Sequence, residues 1–245
     1  MYRFYIEQNQ IHDDYITIEG SDVNHIKNVL RMKVGEAMIL CDGQGTDYHC
    51  TIDTLSNDFI QAKVVEVEDT QTELPAKIYL FQGLPKKDKM ELIIQKAVEL
   101  GVYQIIPVMM KRSVVKLDDK KKEQKKLERW QSIATSAAKQ SGRGIIPEVV
   151  PVMSYKEAIS MAKEMEYKVL PFEHAEGMEE TKKIIKEVQG KKTVAIFIGP
   201  EGGFEDDEVA YAMESGIKPI TLGKRILRTE TAGLTILSVL MFELE

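Results

Sequence analysis

Val194-Ala195-Ile196-Phe197-Ile198 runs straight into Gly199-Pro200-Glu201-Gly202-Gly203-Phe204, and further on Ile220-Thr221-Leu222 runs into Gly223-Lys224-Arg225-Ile226-Leu227-Arg228-Thr229-Glu230-Thr231-Ala232. Each stretch reads as an apolar strand ending in a glycine-punctuated loop, with a helix to follow. Open α/β sheets bind their ligands at such strand ends. The second loop mixes aliphatic side chains (Leu222, Ile226, Leu227) with cations (Arg225, Arg228). That mixture suits a flat, uncharged ring beside an anionic partner better than a polyphosphate. Neither loop carries the lysine and hydroxyl of a phosphate-binding loop, and the first lacks the G-x-G-x-x-G spacing of a dinucleotide site. A blander reading makes the first loop a tight turn, with Glu205, Asp206 and Asp207 set at a helix N-terminus. Two such loops at adjacent strand ends would nevertheless form one concave site, where Glu201 offers a carboxylate to a ribose hydroxyl or to a proton.

Outward from these loops, strands are expected at 78–81, 105–108, 167–170, 193–198 and 219–222. They alternate with helices at 88–100, 120–140, 154–165, 178–188, 205–215 and 230–243. Such alternation indicates a parallel sheet with helices on both faces. Residues 1–70 read differently. Short β-prone runs at 15–18, 37–41, 48–52 and 59–67 are separated by turn chemistry at 34–36, 42–45 and 56–58. One helix interrupts them at 21–32, with Ser21 as its N-cap. A small barrel is the natural closure for these strands. Residues 69–75 are polar, end in Pro75 and read as a linker, which gives two domains, 1–70 and 74–245.

The 245 residues, 43% hydrophobic and 29% charged, have the balance of a soluble globular protein with ample material for a core. Cys41 and Cys50 form neither a metal spacing nor a disulfide framework, and the four histidines show no ligand pattern, so no metal is expected. Met1 to Tyr5 is followed by polar residues, and the longest apolar stretch, 234–242, is far short of the roughly 20 residues a bilayer needs. A cytoplasmic setting is expected. Charge is uneven: 1–70 carries 5 basic and 13 acidic side chains (net −8), 71–145 carries 16 and 8 (net +8), and 146–245 carries 12 and 18 (net −6). The basic middle hints at a polyanion-facing surface, although a solvated lysine-rich helix around 120–126 explains much of it. Candidate contacts are His25, Lys27 and Arg31 on the short helix, and Gln140 and Arg143 at the end of the long one. Trp130 is read as packed.

With these residues in view, the chain resembles a known family. Met1 to Ile6, His25-Ile26-Lys27-Asn28-Val29-Leu30-Arg31, Lys86-Lys87-Asp88-Lys89-Met90-Glu91, Gln95 to Val102, Gln140-Ser141-Gly142-Arg143 and both glycine loops follow the motifs of the 16S ribosomal RNA uridine-N3 methyltransferases (RsmE) of the SPOUT superfamily, in the same order. The one departure is Lys87, where a small residue is expected. The resemblance implies an α/β fold in which a small PUA-like β-barrel (1–70) positions the RNA. A SPOUT domain (74–245) with a C-terminal deep trefoil knot would bind S-adenosylmethionine and form a homodimer. It implies methylation at N3 of uridine 1498, in conventional numbering, within the small ribosomal subunit. One cofactor loop would be Gly199, Pro200, Glu201 and Gly202. The other would draw on Leu222, Gly223, Arg225, Ile226, Leu227, Thr231 and Ala232, with Leu170 from the preceding strand end. Arg143 from the partner protomer, or Arg228, would stabilise charge on the uracil, and Glu201 or Glu230 would take its proton. RNA contacts would come from Arg3, His25, Lys27, Arg31, Lys86, Lys87, Lys89, Lys111, Arg112 and Gln140. Two rivals remain at this point: a ribose 2′-O methyltransferase on the same fold, separable by the methylated nucleoside, and a non-catalytic ribosome-assembly factor, separable by cofactor binding. A nucleotide phosphotransferase is poorly supported by either loop.

Overall fold

The structure, a computed structural model, describes residues 1–115, 120–175 and 177–245. The chain divides into two units, Met1–Glu73 with Ala138–Ile146, and Leu74–Ala137 with Pro147–Glu245. In the first unit, β1 (Tyr2–Tyr5), β2 (Ile11–His12), β3 (Tyr15–Glu19), β4 (Ala37–Cys41), β5 (Thr46–Leu55) and β6 (Phe59–Asp69) form one sheet in the order β1-β4-β5-β6-β3-β2. The period of two in the strands carries Ile16, Ile18, Met38, Leu40, Ile52 and Ile60 to a common buried face. The ladder differs from the expected closed barrel: β1 and β2 are its edges, and no pairing joins them among the described residues. β1 pairs in parallel with β4, a contact across more than thirty positions (Tyr2 with Met38) that no local pattern announces.

The expected helix over 21–32 is shorter and irregular. Only α1 (Ser21–Asn24) is α-helical; His25–Val29 widens into a π turn. The N-cap is Gly20 at φ +75°, not Ser21, and no side chain caps the helix. Val23 and Ile26 still cover the sheet core. The segment read as a linker is tied down. The Glu73 carboxylate accepts from the backbone N–H of Gly144 (2.9 Å) and Ile145 (3.2 Å) and pairs with the buried guanidinium of Arg143.

In the second unit, β7 (Lys77–Gly83), β8 (Gln104–Met109), β9 (Glu148–Val149), β10 (Met153–Ser154), β11 (Tyr167–Pro171), β12 (Thr193–Ile198) and β13 (Lys218–Ile220) make one parallel sheet. Its order is β10-β8-β7-β12-β11-β13, with β9 also on β8. The helices are α2 (Lys89–Glu99), α3 (Lys120–Ser141, whose last turn belongs to the first unit), α4 (Tyr155–Ala162), α5 (Met178–Lys186), α6 (Asp206–Glu214) and α7 (Thr229–Leu244). Phe81 and Phe197 lie opposite one another in the β7–β12 register and stack at 4.4 Å, with Tyr155 meeting Phe197 edge-on. Aromatic pairs of this kind add about 0.5–1.5 kcal/mol beyond their area burial. Trp130 is buried, as expected. No described helix is long and apolar enough to cross a membrane.

Candidate active site

Strands β12, β11 and β13 lie side by side and parallel, so the chain leaves all three at the same edge of the sheet. The three exits enclose a cavity of about 630 Å³. Its walls are residues 171–174 at the end of β11, residues 198–204 at the end of β12 and residues 221–229 after β13, joined by Lys89 and Ala232. Both glycine loops thus meet in one concave site. Of the residues expected there, Gly199, Pro200, Glu201, Gly202, Leu222, Gly223, Arg225, Ile226, Leu227, Arg228 and Ala232 line the cavity. Leu170 does not: it is buried in the sheet core, and its neighbours Pro171 and Phe172 face the cavity instead. Thr231 is exposed and outside the lining.

The first loop lies very close to β7. A Cβ on Gly83 would sit 2.7 Å from Pro200, so only glycine allows this approach. Beside it, Gln82 is fully buried; its Nε2 donates to Gly83 O and to Thr229 Oγ1, both at 2.9 Å. Thr229 Oγ1 in turn donates to Gly199 O at 2.6 Å. This chain of bonds ties the start of the first loop to the first turn of α7. Gln82 Oε1 has no hydrogen-bond partner. Gln82 and Thr229 were not singled out from sequence, although a glutamine closing the apolar run Ile78-Tyr79-Leu80-Phe81 was a visible signal.

Lys89, expected to contact RNA, instead stands between the two candidate bases. Its Nζ lies 3.0 Å from Glu201 Oε1 and 3.4 Å from Glu230 Oε2. Glu201 also accepts from the Lys86 backbone N–H with both oxygens, at 3.0 and 3.2 Å. Burial pushes the Glu201 carboxyl up, but backbone N–H donors and the Lys89 ammonium outweigh it and hold the group below the usual carboxylate range. Lys89 is raised in turn, chiefly by its hydrogen bond to Glu201. Glu230 Oε2 is buried without a hydrogen-bond partner.

The other expected cations divide by their partners. Lys111 pairs with Asp207, and Arg112 with Glu205. In the first unit Arg3 pairs with Asp47 at 2.5 Å, Lys27 donates to Asn57 Oδ1 at 2.6 Å, and His25 packs edge-on against Phe4. Arg143, expected to act on substrate, is buried in that same unit against Glu73. Lys86, Lys87, Arg31 and Gln140 are exposed.

Comparison with known proteins accords with this geometry. A family model described as RNA methyltransferase domain matches residues 72–241, and one described as RNA methyltransferase PUA domain matches 18–65. The ribosomal RNA small subunit methyltransferase E of Bacillus subtilis (strain 168) is 39% identical, over 100% of this chain and 98% of its own. That of Mesomycoplasma hyopneumoniae (strain 232) is 34% identical, over 97% and 98%. Among solved structures, the Neisseria gonorrhoeae enzyme of that name, bound to S-adenosyl methionine, superposes with a TM-score of 0.77 at 33% identity, covering 97% of this chain and 95% of its own. The chain belongs to the ribosomal RNA small subunit methyltransferase E family.

Proposed function

We propose that this chain methylates N3 of a single uridine, uridine 1498 in conventional numbering, in 16S ribosomal RNA of the small subunit, using S-adenosylmethionine. The observation that carries the reading is the convergence of both glycine loops on one cavity, where aliphatic side chains and loop backbone lie beside the Glu201 carboxylate and the cations Lys89, Arg225 and Arg228. The cavity fits the cofactor in size, since pockets for ligands of this class span roughly 300–1,000 Å³. It also fits in chemistry. Leu222, Ile226 and Leu227 offer an apolar slot for a flat ring, and Glu201 offers an acceptor for ribose hydroxyls. Nothing in the loops resembles a polyphosphate cradle.

S-adenosylmethionine, when bound, supplies a methyl group already activated by positive charge. The chain's share is therefore positioning and deprotonation. Between the two candidate bases, the hydrogen-bond pattern favours Glu230. Both oxygens of Glu201 are engaged by Lys86 N–H, and Lys89 holds one of them at 3.0 Å besides, whereas Glu230 meets Lys89 through Oε2 alone, at the longer distance of 3.4 Å. Arg228 lines the cavity and provides the cation for negative charge developing on the uracil carbonyl oxygens. Arg143 is held by Glu73, so we assign it to the integrity of the first unit before any role on substrate. Exposed Lys86 and Lys87 beside the cavity rim supply cations for RNA phosphates.

We further read residues 1–70 as the RNA-positioning domain and 74–245 as the catalytic domain. We also read the C-terminus as knotted, a reading compatible with the bond from Thr229, the first residue of α7, back to Gly199 at the start of the first loop. Exposed Val239 and Phe242 on α7 support a homodimer, and a ribosomal substrate implies work in the cytoplasm. The test is to incubate the protein with labelled S-adenosylmethionine and small ribosomal subunits lacking the modification, then digest the RNA. Recovery of 3-methyluridine from one site is expected. A 2′-O-methylated nucleoside, or no transfer at all, overturns the reading.

A further inference from the structure

The turn after β8 carries Lys111 and Arg112, exposed cations that the charge pattern marks for RNA. Their surroundings are acidic: Glu205, Asp206 and Asp207 stand at the start of α6, and a patch with more carboxylates than cations does not attract a polyanion. The Arg112 fork is turned onto the first cavity loop. Its Nε and Nη2 donate to the two oxygens of Glu205, at 2.8 and 3.0 Å, and its Nη1 donates to Gly202 O at 2.8 Å. The paired donation matches the planar guanidinium to the carboxylate, a geometry lysine cannot reproduce. The stem packs flat on the loop as well: a Cβ on Gly202 would lie 3.0 Å from Arg112 Cβ. Behind it, Lys111 N–H donates to Glu208 Oε1 at 3.0 Å, while Glu208 Oε2 accepts from Glu205 N–H at 2.9 Å. The hydrogen bond from Arg112 holds the Glu205 carboxyl below the usual range.

The loop is therefore fastened at three points. Thr229 holds Gly199 at its start, Lys86 and Lys89 hold Glu201 in the middle, and Arg112 holds Gly202 and Glu205 at its end. We infer that Arg112 is a positioning residue that clamps the 199–205 loop in the shape that receives the cofactor, and that it is not an RNA contact. The inference rests on the reading of this cavity as the S-adenosylmethionine site.

The test is calorimetric titration of S-adenosylmethionine into the wild-type protein and the Arg112→Ala, Arg112→Lys and Glu205→Gln variants. Binding of a 16S RNA fragment carrying the target uridine is measured in parallel. Arg112→Ala is expected to weaken cofactor binding about tenfold, because loss of preorganisation appears directly in affinity. Glu205→Gln, which keeps the shape but not the charge, should weaken it in the same direction, and Arg112→Lys should recover only part of the loss. In turnover, the KM for S-adenosylmethionine should rise by a larger factor than kcat falls, and RNA affinity should stay within twofold of wild type. Cofactor binding unchanged in Arg112→Ala, or a loss confined to RNA affinity, overturns the clamp while leaving the cofactor site intact. Failure of the wild-type protein to bind S-adenosylmethionine overturns the cofactor reading and the clamp together.

Discussion

Thr229→Val removes one oxygen at nearly constant volume from the point where the first loop, β7 and α7 are tied together. Thr229 Oγ1 both donates to Gly199 O and accepts from Gln82 Nε2, so its loss breaks two hydrogen bonds at once. Gln82 is fully buried and keeps only Gly83 O as an acceptor; Gly199 is half-buried. A buried donor left unpaired costs about 1–3 kcal/mol, and a half-buried carbonyl costs less because water reaches it. The sum is about 2–4 kcal/mol. In a chain of this length each kcal/mol shifts the midpoint of thermal unfolding by about 2–4 °C, so a fall of roughly 5–15 °C is expected. Valine and threonine have similar helix propensities, so the first turn of α7 should not contribute separately. S-adenosylmethionine affinity should fall as well, because Gly199 opens the loop that lines the cavity. The double variant with Gln82→Leu sharpens the test. Gln82 Oε1 is already unpaired, so leucine removes that oxygen together with the stranded Nε2. The second substitution should cost less in the Thr229→Val background than alone, a coupling of about 1 kcal/mol. A Thr229→Val protein that melts within 2 °C of wild type would refute the reasoning.

Other predictions concern charge and core. The Glu201 carboxyl is depressed below its ordinary value of 4.5, so its contribution to stability is complete above that value and is lost as pH falls through the depressed one. Melting temperature should therefore be level from neutrality to about pH 5 and drop below it, with a smaller drop in Glu201→Gln. Phe81→Ala removes one ring of the buried Phe81–Phe197 stack and should cost roughly 3–5 kcal/mol, read from the urea midpoint. Arg143→Ala leaves the Glu73 carboxylate without its buried cation and should cost about 3–5 kcal/mol, with Glu73→Gln milder because backbone N–H groups still reach its side chain. An Arg143→Ala protein of wild-type stability would restore that residue as a direct contributor to catalysis.

The second unit was legible because its strands announce themselves locally. Apolar runs such as Val194 to Ile198 are buried on both faces of a parallel sheet, and that run passes directly into Gly199. β13 is the partial exception: it was expected at 219–222 and lies at Lys218–Ile220, because Thr221 already turns into the cavity wall. In the first unit, the parallel pairing of β1 with β4 and the π turn over His25–Val29 depend on contacts far along the chain, which periodicity does not record.

For the site, the residues of the two glycine loops were readable, Glu201, Arg225 and Arg228 included, while the cations outside those loops were not. A glycine or a leucine in a loop carries its constraint with it, whereas a cation's role is set by what faces it. Lys89, Lys111, Arg112 and Arg143 all entered the same basic count of segment 71–145, yet each meets a carboxylate distant in sequence: Glu201, Asp207, Glu205 and Glu73. The +8 of that segment is consequently not one surface. Part of it is spent internally, fastening the first cavity loop and closing the first unit, and an RNA phosphate would have to displace a carboxylate to use it. The charge available to a polyanion lies instead in exposed positions such as Lys86, Lys87, Lys120, Lys125 and Lys126. Salt dependence of RNA binding should therefore respond to substitutions there, and hardly at all to substitution of Lys111.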